Sequence, residues 1–515
     1  MSHVPAFAQP DAYAGPKRSL ILAGGGMRVA YQAGVLLALE EAGLCFHHAD
    51  GTSGGTINLA MLLSGLTPAE MVARWKSLDP KNFIGFMPLA DYLRGPDLPA
   101  MGSADGIVDK VFPHLGIDIA RINDATGIAG TFNLCNFSRK IVETIEHPAL
   151  ALDLLVAGIS LPIFMPAVRH NGAFYTDAVW IKDANLTEAV RRGAEEIWLV
   201  WCIGNSSRYR DGAFRQYVHM IEMSANGALF EELAQIAAIN ARIAAGETVG
   251  GRQRPIVLHV IHPGYPLPLD PDYVLGRIDG GTLVALGYAD AKRYLATRDP
   301  QGLPLTPEVT HMPDETTGLS FRETMAGCFA LGETDPETGR RKGEANGTSL
   351  TLHATVLIRD VHNFLAQPDH PGTLAGSIDF APFGGTLEGT PGVFNLFSPS
   401  GQPGLKYMVY ELGFQHDGKP YYLAGRKEVR DDPAFDMWKQ TTTLYTVLHE
   451  GLDATGPIVG AGVLSLGIAD LIRMLGTVGT PGAPDPAKSA VAIARFGRFF
   501  LGQLWDSYGA HLGRG

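Results

Sequence analysis

Between residues 17 and about 298, short apolar runs alternate with stretches of helical periodicity, and this rhythm limits the fold more than any other feature of the chain. Ser19 to Ala23 reads as a buried strand. Met27 to Ala42 reads as a helix carrying Val29, Val35, Leu36 and Leu39 on its apolar positions. Ala151 to Ala157 and Glu196 to Ile203 read as further strands or buried segments, Arg215 to Ala245 as a long helix, and Pro255 to Ile261 as another apolar run. Strand and helix signals in alternation predict an α/β domain: three layers, with a mainly parallel sheet between helices.

From about residue 299 the texture changes. Residues 299–317 are rich in Pro and Thr and read as a linker. Residues 318–450 contain alternating segments such as Ser349 to Val356 and Lys406 to Leu412, with a turn at Asp417-Gly418-Lys419-Pro420 before Tyr421. Such spacing suits an antiparallel sandwich or barrel, hence a C-terminal β-rich domain. Residues 451–515 read as a helical tail. In it, Phe496, Phe499, Phe500, Leu504 and Trp505 recur at helical spacing with Arg495 and Arg498 nearby. Core packing is the expected use of these aromatics, and a lipid interface is the alternative.

At 515 residues and 46% apolar, the chain has ample core for several domains. Lys and Arg number 41 against 53 Asp and Glu, a net charge of −12 that argues against broad binding to nucleic acid or anionic lipid. Cys45, Cys135, Cys202 and Cys328 form no CxxC pair and read as reduced thiols of a cytoplasmic protein. Met1 to Gly15 lacks the basic and apolar regions of a secretory signal. Gly460 to Gly479 is the nearest approach to a membrane span, but it contains Asp470 and Arg473 and many glycines. The expectation is a protein without a spanning helix, in peripheral contact with a membrane at most.

Three phrases carry chemistry. Leu22-Ala23-Gly24-Gly25-Gly26-Met27-Arg28 joins a strand to a helix, where glycines let backbone N–H groups turn toward an anion. It serves as a phosphate cradle, an oxyanion hole or a plain tight turn. Val29 stands where a dinucleotide fingerprint ends in Gly or Ala, and no Walker Lys-Ser/Thr follows. Gly51-Thr52-Ser53-Gly54-Gly55 is a G-x-S-x-G pentapeptide, which puts a serine at the apex of a sharp strand–turn–helix bend. With 62 glycines in the chain, chance supplies roughly 0.3 such matches, so the helical Thr56 to Leu63 that follows is what gives it weight. Third, Phe174-Tyr175-Thr176-Asp177 ends a short apolar strand in an aspartate that can cap, face solvent or act as a base.

In order and spacing, these three phrases resemble the patatin-like lipid acyl hydrolases over roughly residues 17–298. The resemblance implies an oxyanion hole at Gly24, Gly25, Gly26 and Arg28. It implies a Ser53–Asp177 dyad that hydrolyses a lipid ester without histidine, cofactor or metal. The segment from Ile159 through Pro166 and Asn185-Leu186 also match the family's pattern. There are departures: Val29 replaces a usual Gly, Leu186 a usual Pro, and Ala178 follows Asp177 where the family has Gly. Alanine takes positive φ less cheaply, so an altered aspartate loop is expected. A Ser-His-Asp esterase is the competing hydrolase reading, with His47, His48, His259 and His262 as candidate bases. A catalytically weak lipid- or sterol-binding protein is the other alternative.

The C-terminal part resembles, more weakly, an accessory domain of cholesterol-oxidase-like flavoproteins. The phrases concerned are Gly318 to Gly327, Glu428 to Pro433 and Trp438 to Tyr445. Glu428, Asp431 and Asp432 read as solvated turn carboxylates rather than a metal site.

Overall fold

The computed structural model describes residues 2–509 apart from 11, 206–208, 210, 313–315, 431–440, 482 and 484–485. The chain divides into two compact units, Met1–Pro313 and Asp314–Gly515.

The first unit is the expected three-layer α/β domain. Its strands are β1 (Arg18–Leu22), β2 (His48–Thr52), β3 (Ala129–Asn136), β4 (Ile141–Glu146), β5 (Val168–His170), β6 (Ala173–Asp177), β7 (Glu196–Val200) and β8 (Val257–Ile261). They lie in the order β5-β6-β3-β2-β1-β7-β8, with β4 also paired to β3. The run β3-β2-β1-β7-β8 is parallel. The β4, β5 and β6 pairings are antiparallel. On one face, Ile21, Ile197, Leu199, Leu258 and Val260 pack with Ala225, Leu229, Leu233 and Ile236 of the long helix Ala213–Ala244. Helices α1 (Ala30–Glu41) and Gly280–Thr297 cross closely enough that a Cβ at Gly287 would sit within 1.9 Å of the Tyr31 carbonyl oxygen.

Successive strands leave β1 on both sides: β2 and β3 to one side, β7 and β8 to the other. Such a reversal opens a crevice at the carboxyl ends of the strands. One sequence expectation is corrected here: Leu152–Gly158 is a helix, not a strand. A short apolar run carries no period that separates the two, and this one buries its Leu154, Leu155 and Val156 in a helix of about two turns.

The second unit is a closed barrel. Its strands are β9 (Leu319–Leu331), β10 (Ser349–Ile358), β11 (Pro371–Phe380), β12 (Gly385–Glu388), β13 (Gly392–Pro399), β14 (Leu405–His416), β15 (Lys419–Arg430), β16 (Thr443–Glu450) and β17 (Ile458–Ser465). All pairings are antiparallel along β10-β9-β17-β16-β15-β14-β13-β11, and β10 pairs with β11 to close the ring of eight. Closure removes the free strand edges of an open sheet. Alternate residues such as Phe321, Met325 and Phe329 on β9 or Leu350, Leu352 and Val356 on β10 fill the interior. Among them stand Glu323 and Lys427, paired at 3.3 Å, with the Lys427 ammonium also 3.2 Å from the Tyr410 hydroxyl.

The strand β17 falls where the tail was expected to be helical, and helices begin only at Ile468. Its Gly460 and Gly462 leave room for the Phe329 ring of β9, which a Cβ at either position would meet at 2.8 and 2.6 Å. Phe496, Phe499 and Phe500 of the last helix pack on the barrel core, with rings 6.2 Å from Phe321, 4.6 Å from His370 and 5.5 Å from Phe397. That is the core-packing use. Asp431, Asp432, Trp438 and the side chains of Leu504 and Trp505 lie outside the described residues.

Among the described residues no helix is long and apolar enough to cross a membrane, and no group of three or more His, Cys, Asp or Glu could hold a metal ion. All four cysteines are free.

Candidate active site

The polypeptide turns sharply out of β2. Ser53 sits at φ +51°, and α2 (Gly55–Leu63) starts two residues later. A side-chain-bearing residue held there costs about 1–3 kcal/mol, which the surrounding structure must offset. The helix is drawn hard against β1: a Cβ at Gly55 would lie 2.1 Å from the Leu22 carbonyl oxygen. The last residue of the pentapeptide therefore has to be glycine for the serine to reach this apex.

Ser53 Oγ donates to Asp177 Oδ2 at 2.6 Å. Both residues are buried, at 8% and 1% exposure. Asp177 ends β6, and its other oxygen accepts from the Val179 amide at 2.9 Å. Its own amide donates to the Ser160 carbonyl, tying it to the loop before β5. Burial pushes the Asp177 carboxyl up to about 7, with the hydrogen bonds from Ser53 and Val179 opposing that rise. Among the described residues no cation contributes. A carboxyl that changes charge near neutral pH beside a hydroxyl is suited to proton transfer.

The loop after Asp177 takes a shape that alanine accepts. Ala178–Trp180 forms a right-handed 3-10 turn capped by Asp177, and Ala178 has no positive φ. The glycine at this position in the family pattern is not demanded by the backbone found here.

The glycine loop leaves β1 and faces the serine. The amides of Gly25 and Gly26 make no hydrogen bond within the protein among the described residues. Gly24 is a correction: its amide donates to Asp183 Oδ2 at 3.0 Å and is not an available donor. Arg28 makes its hydrogen bond to the loop itself, and its charge bears on Asp183, Cys202 and Asp270. Its Nε donates to the Gly25 carbonyl at 2.9 Å, bracing the loop.

Several supporting residues gave no sequence signal. Asp270 accepts from the Met27 amide at 2.9 Å. Gln32 donates to the Ala23 carbonyl at 2.6 Å, Asn58 to Gln32 at 2.9 Å, and Trp75 to Asn58 at 2.8 Å. Behind the elbow, fully buried Asp50 accepts from Thr131 and Asn133, each at 2.6 Å, and Asn133 also donates to Thr52 at 3.0 Å. Asn185, in the stretch that resembles the family pattern, donates to Asn133 at 2.8 Å and caps the helix that begins at Leu186.

No described histidine hydrogen-bonds to Ser53. His48 is held by Ser19 and Thr131, His47 by backbone carbonyls of Arg18 and Arg192. His259 bonds to the Tyr294 hydroxyl and stacks on Trp198, and His262 faces the Pro263 carbonyl. Aromatic rings lie on the Asp177 side instead: Tyr217 contacts Phe164 and Trp180 edge-on at 5.3 and 5.4 Å, and the Asp177 charge helps hold its hydroxyl above the usual range, after burial.

Residues 20–190 match the family model described as patatin-like phospholipase, a stretch that takes in the glycine loop, the serine elbow and Asp177. Among solved structures, VipD from Legionella pneumophila aligns with a TM-score of 0.31 at 11% identity, covering 57% of this chain and 70% of that one. A chain of the complex of full-length SpcU with full-length ExoU from the type III secretion system of Pseudomonas aeruginosa aligns with a TM-score of 0.19 at 14% identity, covering 57% and 76%. No curated sequence matches the chain.

Proposed function

We propose that the first unit, whose residues 20–190 are a patatin-like phospholipase domain by family match, hydrolyses carboxylic esters of lipids by acyl transfer through Ser53. The observation that carries this reading is the 2.6 Å hydrogen bond between Ser53 Oγ and Asp177 Oδ2 at a strained elbow. Asp177, ionised, takes the Ser53 proton as Oγ attacks the ester carbonyl. The carbonyl oxygen becomes an anion and is met by the amides of Gly25 and Gly26, each such donor typically contributing about 3–4 kcal/mol. The proton passes from Asp177 to the departing alcohol as the C–O bond breaks, leaving an acyl-Ser53 ester. Water, deprotonated by Asp177, then releases the acid and restores the hydroxyl.

A lipid acyl chain is favoured over a small ester by exposed apolar side chains on a segment tied to the loop that leads to Asp177. Met101 donates its amide to the Ile163 carbonyl at 2.8 Å, and Gly102 to that of Phe164 at 3.0 Å. This joins the loop leading to Asp177 to a segment whose Phe86, Leu89 and Leu93 stand in solvent. A cluster of exposed apolar groups on such a segment is the expected contact for a chain or a lipid surface.

The test is hydrolysis of p-nitrophenyl esters of increasing chain length by wild type, Ser53→Ala and Asp177→Ala. The expected result is a rate that grows with chain length in wild type and is abolished in both variants. Folded wild type inert on every ester contradicts the reading.

A further inference from the structure

Asp183 is fully buried and belongs to neither member of the dyad. Its Oδ2 accepts from the Gly24 amide at 3.0 Å. Its Oδ1 is also buried and has no hydrogen-bond partner among the described residues. A Cβ built on Gly24 would lie 2.2 Å from that unpaired oxygen and 2.7 Å from Ser53 Cβ, so Gly24 is wedged between the aspartate and the serine. Only a residue without a side chain fits there, and only with its amide turned toward Asp183.

We propose that Asp183 is a positioning residue: it clamps the glycine loop beside Ser53 through the Gly24 amide. This rests on the acyl-transfer reading of Ser53. The clamp fixes where the next two amides, those of Gly25 and Gly26, point. Their value depends on aim, since a displacement of about 1 Å in such a site can cost on the order of 100-fold in rate. The charge state follows from the surroundings. The ionisable groups that bear on Asp183 are Asp177, close enough to repel its charge, and Arg28, whose guanidinium is turned to the Gly25 carbonyl. Cys202, which a Cβ at Gly25 would touch at 2.8 Å, is itself held protonated by burial. Burial, then Asp177, raises the Asp183 carboxyl far above the carboxylate range, while Arg28 only partly opposes it. An ionised Asp183 with one unpaired oxygen would be a costly buried charge. Protonated, it leaves Asp177 as the group that titrates.

The experiment compares wild type, Ser53→Ala, Asp183→Asn and Asp183→Ala on a soluble p-nitrophenyl ester, with kcat and KM resolved across pH and folding checked by circular dichroism. Asparagine keeps the acceptor for the Gly24 amide and the neutral charge. The expected Asp183→Asn enzyme keeps kcat within about threefold and the same acid limb. Asp183→Ala loses about 10- to 100-fold in kcat at nearly constant KM. If Asp183→Asn moves the acid limb down by a unit or more, the native residue acts through its charge rather than the clamp and the proposal is overturned. An Asp183→Asn enzyme that is folded but loses kcat tenfold overturns it too. If Asp183→Ala is folded and fully active, Asp183 positions nothing, although the serine reading survives. Should Asp183→Ala fail to fold, Asp183→Asn alone decides. If wild type is inert, or Ser53→Ala keeps the rate, the acyl-transfer reading falls and this one falls with it.

Discussion

Two buried carboxylates, one in each unit, are treated in opposite ways. Glu323 points into the barrel and is met by Lys427, itself held by Tyr410, so the charge is cancelled where it stands. Asp177 is more deeply buried, at 1% exposure, and is given only a serine hydroxyl and one amide. The barrel spends its polar pair on structure. The α/β unit leaves a carboxyl destabilised as an anion, and a destabilised anion seeks a proton. The same holds for Asp183, whose second oxygen has no hydrogen-bond partner among the described residues. Uncompensated burial of Asp177 and compensated burial of Glu323 separate the place where chemistry is expected from the place where packing suffices.

The largest effect that separates the two is loss of the nucleophile. Ser53→Ala should lower kcat on a long-chain ester by at least about 1000-fold, with the fold intact by circular dichroism. Replacement of Asp177 by Asn, which keeps the shape but cannot take a proton, should cost nearly as much. In the barrel, Glu323→Ala strands the Lys427 ammonium in an apolar interior. Urea unfolding should show a loss of about 3–5 kcal/mol, and most of it should return in the double variant Glu323→Leu, Lys427→Met. A single variant as stable as wild type would remove the contrast.

Next in size is pH. The base works only when ionised, so kcat/KM should rise through about pH 7, where Asp177 gives up its proton. Stability should run the other way. The native carboxyl keeps its proton up to about 7, whereas the unfolded one loses it near 3.9. Between those values the native state binds more protons, so stability falls as pH rises through the window. Asp177→Asn should flatten part of that fall. Asp50 and Asp183, also raised by burial, keep the remainder. Thermal melts from pH 4 to 8 test this, and an unchanged slope in the variant would contradict it. The smallest effect concerns Ala178→Gly. Since Ala178 is right-handed already, the change should leave the rate within about twofold and cost under about 1 kcal/mol.

The candidate site at Ser53, Asp177 and the glycine loop was legible because each part has a local pattern: small residues around a serine apex, glycines at a strand–helix joint, and an aspartate closing a strand. Asp183 and Asp270 were not. Each reads as an ordinary loop aspartate, and its role exists only because folding brings it to an amide 159 or 243 residues away. The layering of the first unit followed from alternation of strand and helix signals, but Leu152–Gly158 shows where a short apolar run says nothing about its period. In the second unit, alternation pointed to antiparallel strands. Closure was invisible, since it depends on β10 meeting β11 after β9 has paired on the other side. Strand β17 was missed because glycines weaken a strand signal, and here they serve to admit Phe329.

The central claim is that Ser53, activated by Asp177, is the atom that takes the acyl group. The direct measurement is covalent capture: incubation with an alkyl fluorophosphonate, followed by peptide mass spectrometry to locate the adduct. One adduct on Ser53 in wild type, and little or none in Asp177→Asn over the same time, is the predicted result. An adduct on another residue, or labelling of Ser53 as fast without Asp177 as with it, would contradict it.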